Sequence, residues 1–123
     1  FRLWIADVIN RKYDKCIYLD TDIIVNIDLN ELFSINIKNN IVAGDRDLGW
    51  ALDKYEIWKT YGIPDLNQYI NAVILIFNLK KIRNDNLIDS FREKANEDYQ
   101  DADQAVLNIV CYNKIKFLPL EYN

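Results

Sequence analysis

The run Ile70 to Leu79 is ten residues long and apolar except at Asn71 and Asn78. A bilayer span needs about 20 apolar residues, so this segment belongs inside a folded domain. Its centre, Val73-Ile74-Leu75-Ile76-Phe77, has strand composition. A second apolar run, Cys16 to Leu19, is bounded by Lys15 and Asp20. Continuous runs of this kind suit strands covered on both faces. Ile41 to Ala43 and Ile115 to Leu118 are shorter strand candidates. Helical periodicity lies between them: Phe1, Ile5, Val8 and Ile9; then Leu87, Ile88, Phe91 and Ala95; then Ala102, Val106, Ile109 and Val110. Strands alternating with helices predict an α/β sandwich around a mostly parallel mixed sheet.

The connecting residues add detail. Ile23 to Val25 reads as a continuation of the strand past Asp22, and Asp28 can cap a short helix through Phe33. Asp53 to Tyr61 reads as a helix that Gly62 and Pro64 end. Asp101 or Asp103 can cap the third periodic helix, and Lys80 and Lys81 read as a solvated face.

At 123 residues the chain is one domain by length, and half of it is hydrophobic, which supports a real core. The net charge is -4, from 15 Lys+Arg against 19 Asp+Glu, with no basic stripe. This argues against nucleic acid as a partner. It leaves room for a nucleotide, because a metal ion can neutralise a diphosphate locally. Cys16 and Cys111 are far apart and form no Cys-x-x-Cys pair, which fits a reducing, cytoplasmic setting. Histidine is absent, which removes the commonest general base and metal ligand. A helical pattern already running at Phe1, and no methionine, give the reading of one partial domain over 1–123, internal to a longer protein. An exposed sheet edge in such a piece invites self-association.

Asp20, Thr21 and Asp22 directly follow the Cys16 to Leu19 run. In open α/β sheets, ligands bind beyond the carboxyl ends of strands. Residues i and i+2 of an extended segment point to the same side. Asp20 and Asp22 would then converge, which is unfavourable unless a cation sits between them. Carboxylate oxygens suit Mg²⁺ or Mn²⁺, with substrate phosphates completing the coordination. Taken alone, the pair also reads as solvated acids ending a strand. A further alternative makes Asp20 the nucleophile of a haloacid dehalogenase-like phosphotransfer enzyme, and another makes the chain a non-catalytic scaffold or binding fragment. No Gly-rich phosphate loop is present.

The run Tyr18-Leu19-Asp20-Thr21-Asp22-Ile23-Ile24-Val25 resembles the metal-binding signature of glycosyltransferase family 8, which includes glycogenin and bacterial lipopolysaccharide galactosyl- and glucosyltransferases. The likeness continues in matched order through Asp28 to Leu32, Tyr69 to Ala72, Leu75 to Lys81, Asp103-Gln104 and Leu107-Asn108. It implies the central part of a GT-A type nucleotide-sugar-binding sandwich. It also implies retaining, metal-dependent transfer of a hexose from a UDP-sugar to a saccharide or glycolipid acceptor. By the resemblance, Asp20 and Asp22 hold Mn²⁺ or Mg²⁺, and Thr21 lies along the ribose. Arg2 approaches the donor sugar and phosphates, Asp47 the sugar and acceptor, and Asn71 and Ala72 line the donor sugar. Asp103 and Gln104 meet the sugar hydroxyls and the anomeric carbon. Val73 stands where the family usually has glycine, and Ala105 where it usually has aspartate. The family's base-binding strand is expected before this sequence and a histidine ligand after it. The resemblance is compatible with a parent peripheral to the inner face of a membrane.

Overall fold

The computed structural model describes residues 2–122, without the side chains at 48, 50 and 51. Phe1, read as the first apolar position of the opening helix, lies outside the described residues. Four strands form one sheet: β1 (Lys15–Leu19), β2 (Val42–Gly44), β3 (Ile74–Asn78) and β4 (Ile115–Phe117), in the order β1-β3-β2-β4. β3 is antiparallel to both neighbours, whereas β2 and β4 are parallel. Three of the four strands therefore share a direction, and the reversed one is the strand with the strongest apolar signal. Leu19 pairs with Ile74, and Val42 with Phe77. The entrance to β3 thus lies at the same edge as the exits of β1 and β2.

The strands bury both faces. Leu75 and Phe77 of β3, with Val42 of β2, join a large core with Trp58, Ile82, Phe91, Leu107 and Cys111. Ile76 and Ala43 point the other way, into a smaller core with Leu32, Ile37 and Leu118. This is the period-2 alternation of a sheet covered on both sides.

A single 3-10 turn, Arg2–Trp4, opens into the short helix α1 (Ile5–Val8). It ends early because Ile9 is extended, and Arg83 donates to the carbonyls of Ala6, Ile9 and Tyr13 at 2.8, 2.8 and 2.9 Å. Asp28 caps α2 (Leu29–Ser34) as expected, accepting from the Asn30 N–H at 2.8 Å. The single helix expected over Asp53 to Tyr61 is instead α3 (Leu48–Asp53) followed by α4 (Tyr55–Thr60). The strand expected over Ile70 to Leu79 is trimmed at both ends. Asn78 accepts from the Lys81 N–H at 3.0 Å and so starts the helix α5 (Leu79–Asn84), which carries Lys80 and Lys81. Ile23 to Val25 is not a strand, and Ile24 is 94% exposed. α6 (Leu87–Lys94) and α7 (Ala102–Cys111) lie where their periodicity puts them.

Candidate active site at the strand ends

The ladder between strands continues past their formal ends. The Asp20 N–H donates to the Val73 carbonyl at 3.0 Å, the Asn71 N–H to the Asp45 carbonyl at 2.8 Å, and the Asp47 N–H to the Tyr69 carbonyl at 3.1 Å. Two acid-bearing exits, 20 and 45–47, are thereby laced to the entrance segment 69–73. Gly44 lets that segment come close. A Cβ there would lie 2.9 Å from Leu75 Cδ2, 3.2 Å from Ile70 Cδ1 and 3.3 Å from the Asn71 carbonyl oxygen.

From the other side, α7 fixes the same segment with two side chains one turn apart. Asn108 is fully buried. Its Oδ1 accepts from the Ile70 N–H at 2.8 Å, and its Nδ2 donates to the carbonyls of Ile70 at 2.9 Å and Gln104 at 3.0 Å. Gln104 accepts from the Ala72 N–H at 3.0 Å and donates to Asp47 Oδ2 at 3.1 Å. The Tyr69 hydroxyl donates to Asp101 Oδ2 at 3.0 Å, and Lys54 pairs with Asp101 at 3.6 Å. Burial, reinforced by Asp101 and Asp47 and opposed by Gln104, pushes the Tyr69 hydroxyl far above its ordinary pKa. It remains a neutral donor.

Arg2 joins the two halves. Its Nη2 meets Asp20 Oδ1 at 3.2 Å, its Nε meets Asp103 Oδ2 at 2.8 Å, and its Nη1 donates to the Ala72 carbonyl. The guanidinium also lies 4.9 Å from the centre of the Tyr18 ring. The Tyr18 hydroxyl donates to Asp20 Oδ1 at 2.6 Å. Burial first, and that bond to Asp20 second, raise the Tyr18 pKa. The guanidinium spreads its five N–H donors over three nitrogens in a rigid plane, so each acceptor meets a different nitrogen. Neither Asp101 nor Asp103 caps α7 as the sequence suggested. Asp101, at the cap position, makes no side-chain cap bond, and Asp103 is committed to Arg2. Between them Ala102 holds φ 46°, a left-handed conformation that costs a non-glycine residue about 1–2 kcal/mol.

These residues surround a cavity of about 500 Å³ lined by Arg2, Asp20, Asp47, Ala72, Val73, Asp101, Asp103 and Gln104. Four carboxylates and one guanidinium face it, so it is acidic. No group of three or more His, Cys, Asp or Glu gathers as a metal cluster among the described residues.

The sequence pattern of glycosyl transferase family 8 matches residues 1–123. The chain belongs to glycosyltransferase family 8. Lipopolysaccharide 1,3-galactosyltransferase of Salmonella typhimurium is 30% identical over 135 residues, covering 100% of this chain and 38% of the relative. The apo structure of the bifunctional glycosyltransferase WbbM superposes with a TM-score of 0.89 at 29% identity, over 98% of this chain and 24% of that one. The galactosyltransferase LgtC, solved with donor and acceptor sugar analogues, gives a TM-score of 0.74 at 28% identity, over 94% of this chain and 42% of that one. The architecture is that of GT-A glycosyltransferases. The family match displaces the phosphotransfer reading of Asp20. The chain spans 16% to 41% of the length of the curated relatives it matches. No helix among the described residues is long and apolar enough to cross a membrane.

Six residues singled out by the family 8 resemblance therefore meet at one cavity: Arg2, Asp20, Asp47, Ala72, Asp103 and Gln104. Three do not line it. Thr21 and Asp22 are exposed, in the turn after β1. The Asn71 side-chain oxygen accepts from the Val73 N–H at 2.8 Å, which shapes the bend before β3. The family's glycine position, Val73, forms part of the wall, whereas Ala105 is fully buried and does not. Sequence reasoning gave no site role to Tyr69, Asp101 or Asn108. The available signal was a lone carboxamide, Asn108, one turn after Gln104 on the most apolar face of α7.

Proposed function

We propose that this chain carries the donor-binding part of a metal-dependent, retaining glycosyltransferase that moves a hexose from a UDP-sugar to a saccharide or glycolipid acceptor. The observation that carries the reading is the acidic cavity in which Arg2, Asp20, Asp47, Asp103 and Gln104 converge. Four carboxylates repel a diphosphate, so an anionic donor needs a divalent cation to enter. Asp20 lines the cavity and, with Asp22 in the exposed turn beside it, would hold Mn²⁺ or Mg²⁺ through hard carboxylate oxygens, with diphosphate oxygens completing the coordination. When bound, the ion supplies Lewis-acid stabilisation of the leaving diphosphate.

The chain's own groups account for the rest. Arg2 offsets part of the charge of Asp20 and Asp103 and fixes their orientation. Asp47 and Asp103 accept hydrogen bonds from sugar hydroxyls. Both backbone groups of Ala72 are already engaged, by Gln104 and Arg2, so its methyl is what it offers the sugar. Gln104 keeps a second lone pair on an oxygen already held by the Ala72 N–H, and that lone pair faces developing positive charge at the anomeric carbon. An amide oxygen is a weak nucleophile, which favours attack on the face from which the diphosphate leaves over a covalent adduct on Gln104.

Calorimetry with UDP tests the reading. Weak binding that requires Mn²⁺ and disappears in Asp20→Asn is expected. UDP binding that ignores the metal, or no binding in either condition, overturns it, and the second outcome favours a non-catalytic scaffold.

A further inference from the structure

We propose that Asp47, Tyr69 and Asp101 are positioning residues that select which end of the Gln104 carboxamide faces the donor cavity: its oxygen, never its nitrogen. What that oxygen acts on rests on the donor-cavity reading above.

The two ends of a carboxamide are alike in shape and opposite in chemistry, because the oxygen accepts and the NH2 group donates. Its direction is therefore set by its neighbours. Three neighbours meet Gln104. The Ala72 N–H can only donate, and it meets Oε1 at 3.0 Å. The Asp47 carboxylate can only accept, and its Oδ2 meets Nε2 at 3.1 Å. The Tyr69 hydroxyl lies 3.4 Å from Nε2. A hydroxyl both donates and accepts, so alone it would tolerate either end. Asp101 removes that freedom. Its Oδ2 accepts the hydrogen bond of the Tyr69 hydroxyl at 3.0 Å, which leaves a lone pair for Nε2. Burial raises the pKa of that hydroxyl, so it keeps the proton it donates.

The other oxygen of Asp101, Oδ1, pairs with Lys54 at 3.6 Å. Both oxygens of this carboxylate are thus engaged within the chain although it lines the cavity, which suits it to act through Gln104. Reversing the amide would set the NH2 group against the Ala72 N–H and the amide oxygen against the Asp47 carboxylate. The frame around it is braced. The Asp47 N–H donates to the Tyr69 carbonyl at 3.1 Å, and Asn108 holds both backbone groups of Ile70, the next residue. Position 104 therefore presents partial negative charge to the cavity, the sign that a developing positive anomeric carbon requires. Asp47 holds Gln104 through one oxygen, so its contact with a sugar runs through the other.

NMR on this chain, isotope-labelled, tests the orientation directly. A scalar coupling through the hydrogen bond should link the Ala72 amide nitrogen to the side-chain carbonyl carbon of Gln104. Its absence from spectra that show such couplings within α7 overturns the proposal. Gln104→Glu then tests the neighbours. It places a carboxyl where an amide nitrogen now lies 3.1 Å from Asp47 Oδ2, and two carboxyls so close share a proton. Carboxyl-carbon titration should show the pair holding that proton at least about tenfold more tightly than an exposed glutamate does. Asp47→Asn, added to Gln104→Glu, supplies an N–H for the new carboxyl and should abolish the excess. A role for Asp47 in packing alone would leave the titration unmoved by either change, and that result overturns its assignment. Tyr69→Phe, added to Gln104→Glu, should not tighten the proton further, because the hydroxyl already donates to Asp101. Tightening by more than about twofold would mean that the hydroxyl donates to position 104, which overturns the role of Asp101. UDP calorimetry on the unmodified chain separates the two claims. The coupling without Mn²⁺-dependent UDP binding sinks the donor reading and upholds the orientation. UDP binding without the coupling sinks the orientation alone.

Discussion

Asp20 lies two residues from Asp22, yet Asp20 accepts from Tyr18 at 2.6 Å and meets Arg2 at 3.2 Å, whereas Asp22 is exposed in a turn. The contrast extends along the chain on either side of the edge. Segment 69–73 has Tyr69 and Ile70 fully buried and is held by α7, by the exit of β2 and by Arg2. Segment 23–27 is as rich in aliphatics, yet Ile24 is 94%, Val25 45% and Ile27 43% exposed. Apolar composition is common to both. What differs is the supply of partners for the backbone and side chains, and that supply is what turns an apolar run into a site wall.

The contrast breaks most visibly if the clamp on segment 69–73 can be removed cheaply. Asn108→Leu keeps the branched side-chain shape while leaving the Ile70 N–H and carbonyl unpaired in the interior. Each unsatisfied buried group costs about 1–3 kcal/mol, so a loss of about 3 kcal/mol or more is expected from urea unfolding. A loss below about 1 kcal/mol would mean that burial alone holds the segment. Gly44→Ala probes the same segment from β2. Its new methyl meets Leu75 Cδ2 at 2.9 Å and a backbone oxygen at 3.3 Å, and overpacking of this kind costs about 1–3 kcal/mol.

The sequence disclosed the four strands through their apolar runs, whereas the run Ile23 to Val25, with the same composition, is not a strand. It disclosed α6 and α7 through their period. It could not disclose that β3 runs against its neighbours, because strand direction leaves no trace in the hydrophobic pattern. That reversal is what brings Ala72 and Val73 to the edge that holds Asp20. Asn78 has two roles. It ends β3, as its place in the apolar run suggests, and its side chain also caps α5, which the run does not reveal. At the site, charged and amide residues at matched family positions were legible. Asn108 was not, because one carboxamide on an apolar helix face gains meaning only when Ile70 is known to lie opposite. Asp103 was legible as an acid but not as the partner of Arg2, a residue 101 positions away.

A smaller effect tests how far burial extends along β1 beneath the site. Burial pushes the Cys16 thiol up to about 11 from an ordinary 9.0, with Arg83 and a backbone bond to Phe77 acting in the opposite direction. A thiol with a raised folded pKa contributes its stability in full below about pH 9 and loses it as pH rises towards about 11, because the unfolded chain gives up the proton first. Urea midpoints should therefore fall between pH 9 and 11. Cys16→Ala should reduce that slope without abolishing it, because burial also raises the pKa of Cys111. An identical slope in the variant would place Cys16 in a wetter strand than its neighbours indicate.

The smallest expected effect sits in the segment that the contrast calls unpartnered. Ile24→Lys removes an aliphatic side chain that is almost wholly in water, so unfolding stability should change by no more than about 0.5 kcal/mol. Its effect should appear instead in solution behaviour. Ile24, Val25 and Ile27 form an exposed apolar patch on the sequence that follows the edge strand β1. A charge at its centre should lower any concentration-dependent association seen by sedimentation. If Ile24→Lys instead costs more than about 1 kcal/mol in dilute solution, segment 23–27 is packed against something within the chain. The difference between the two segments would then be one of degree, and Asp22 would sit at the start of a second supported wall.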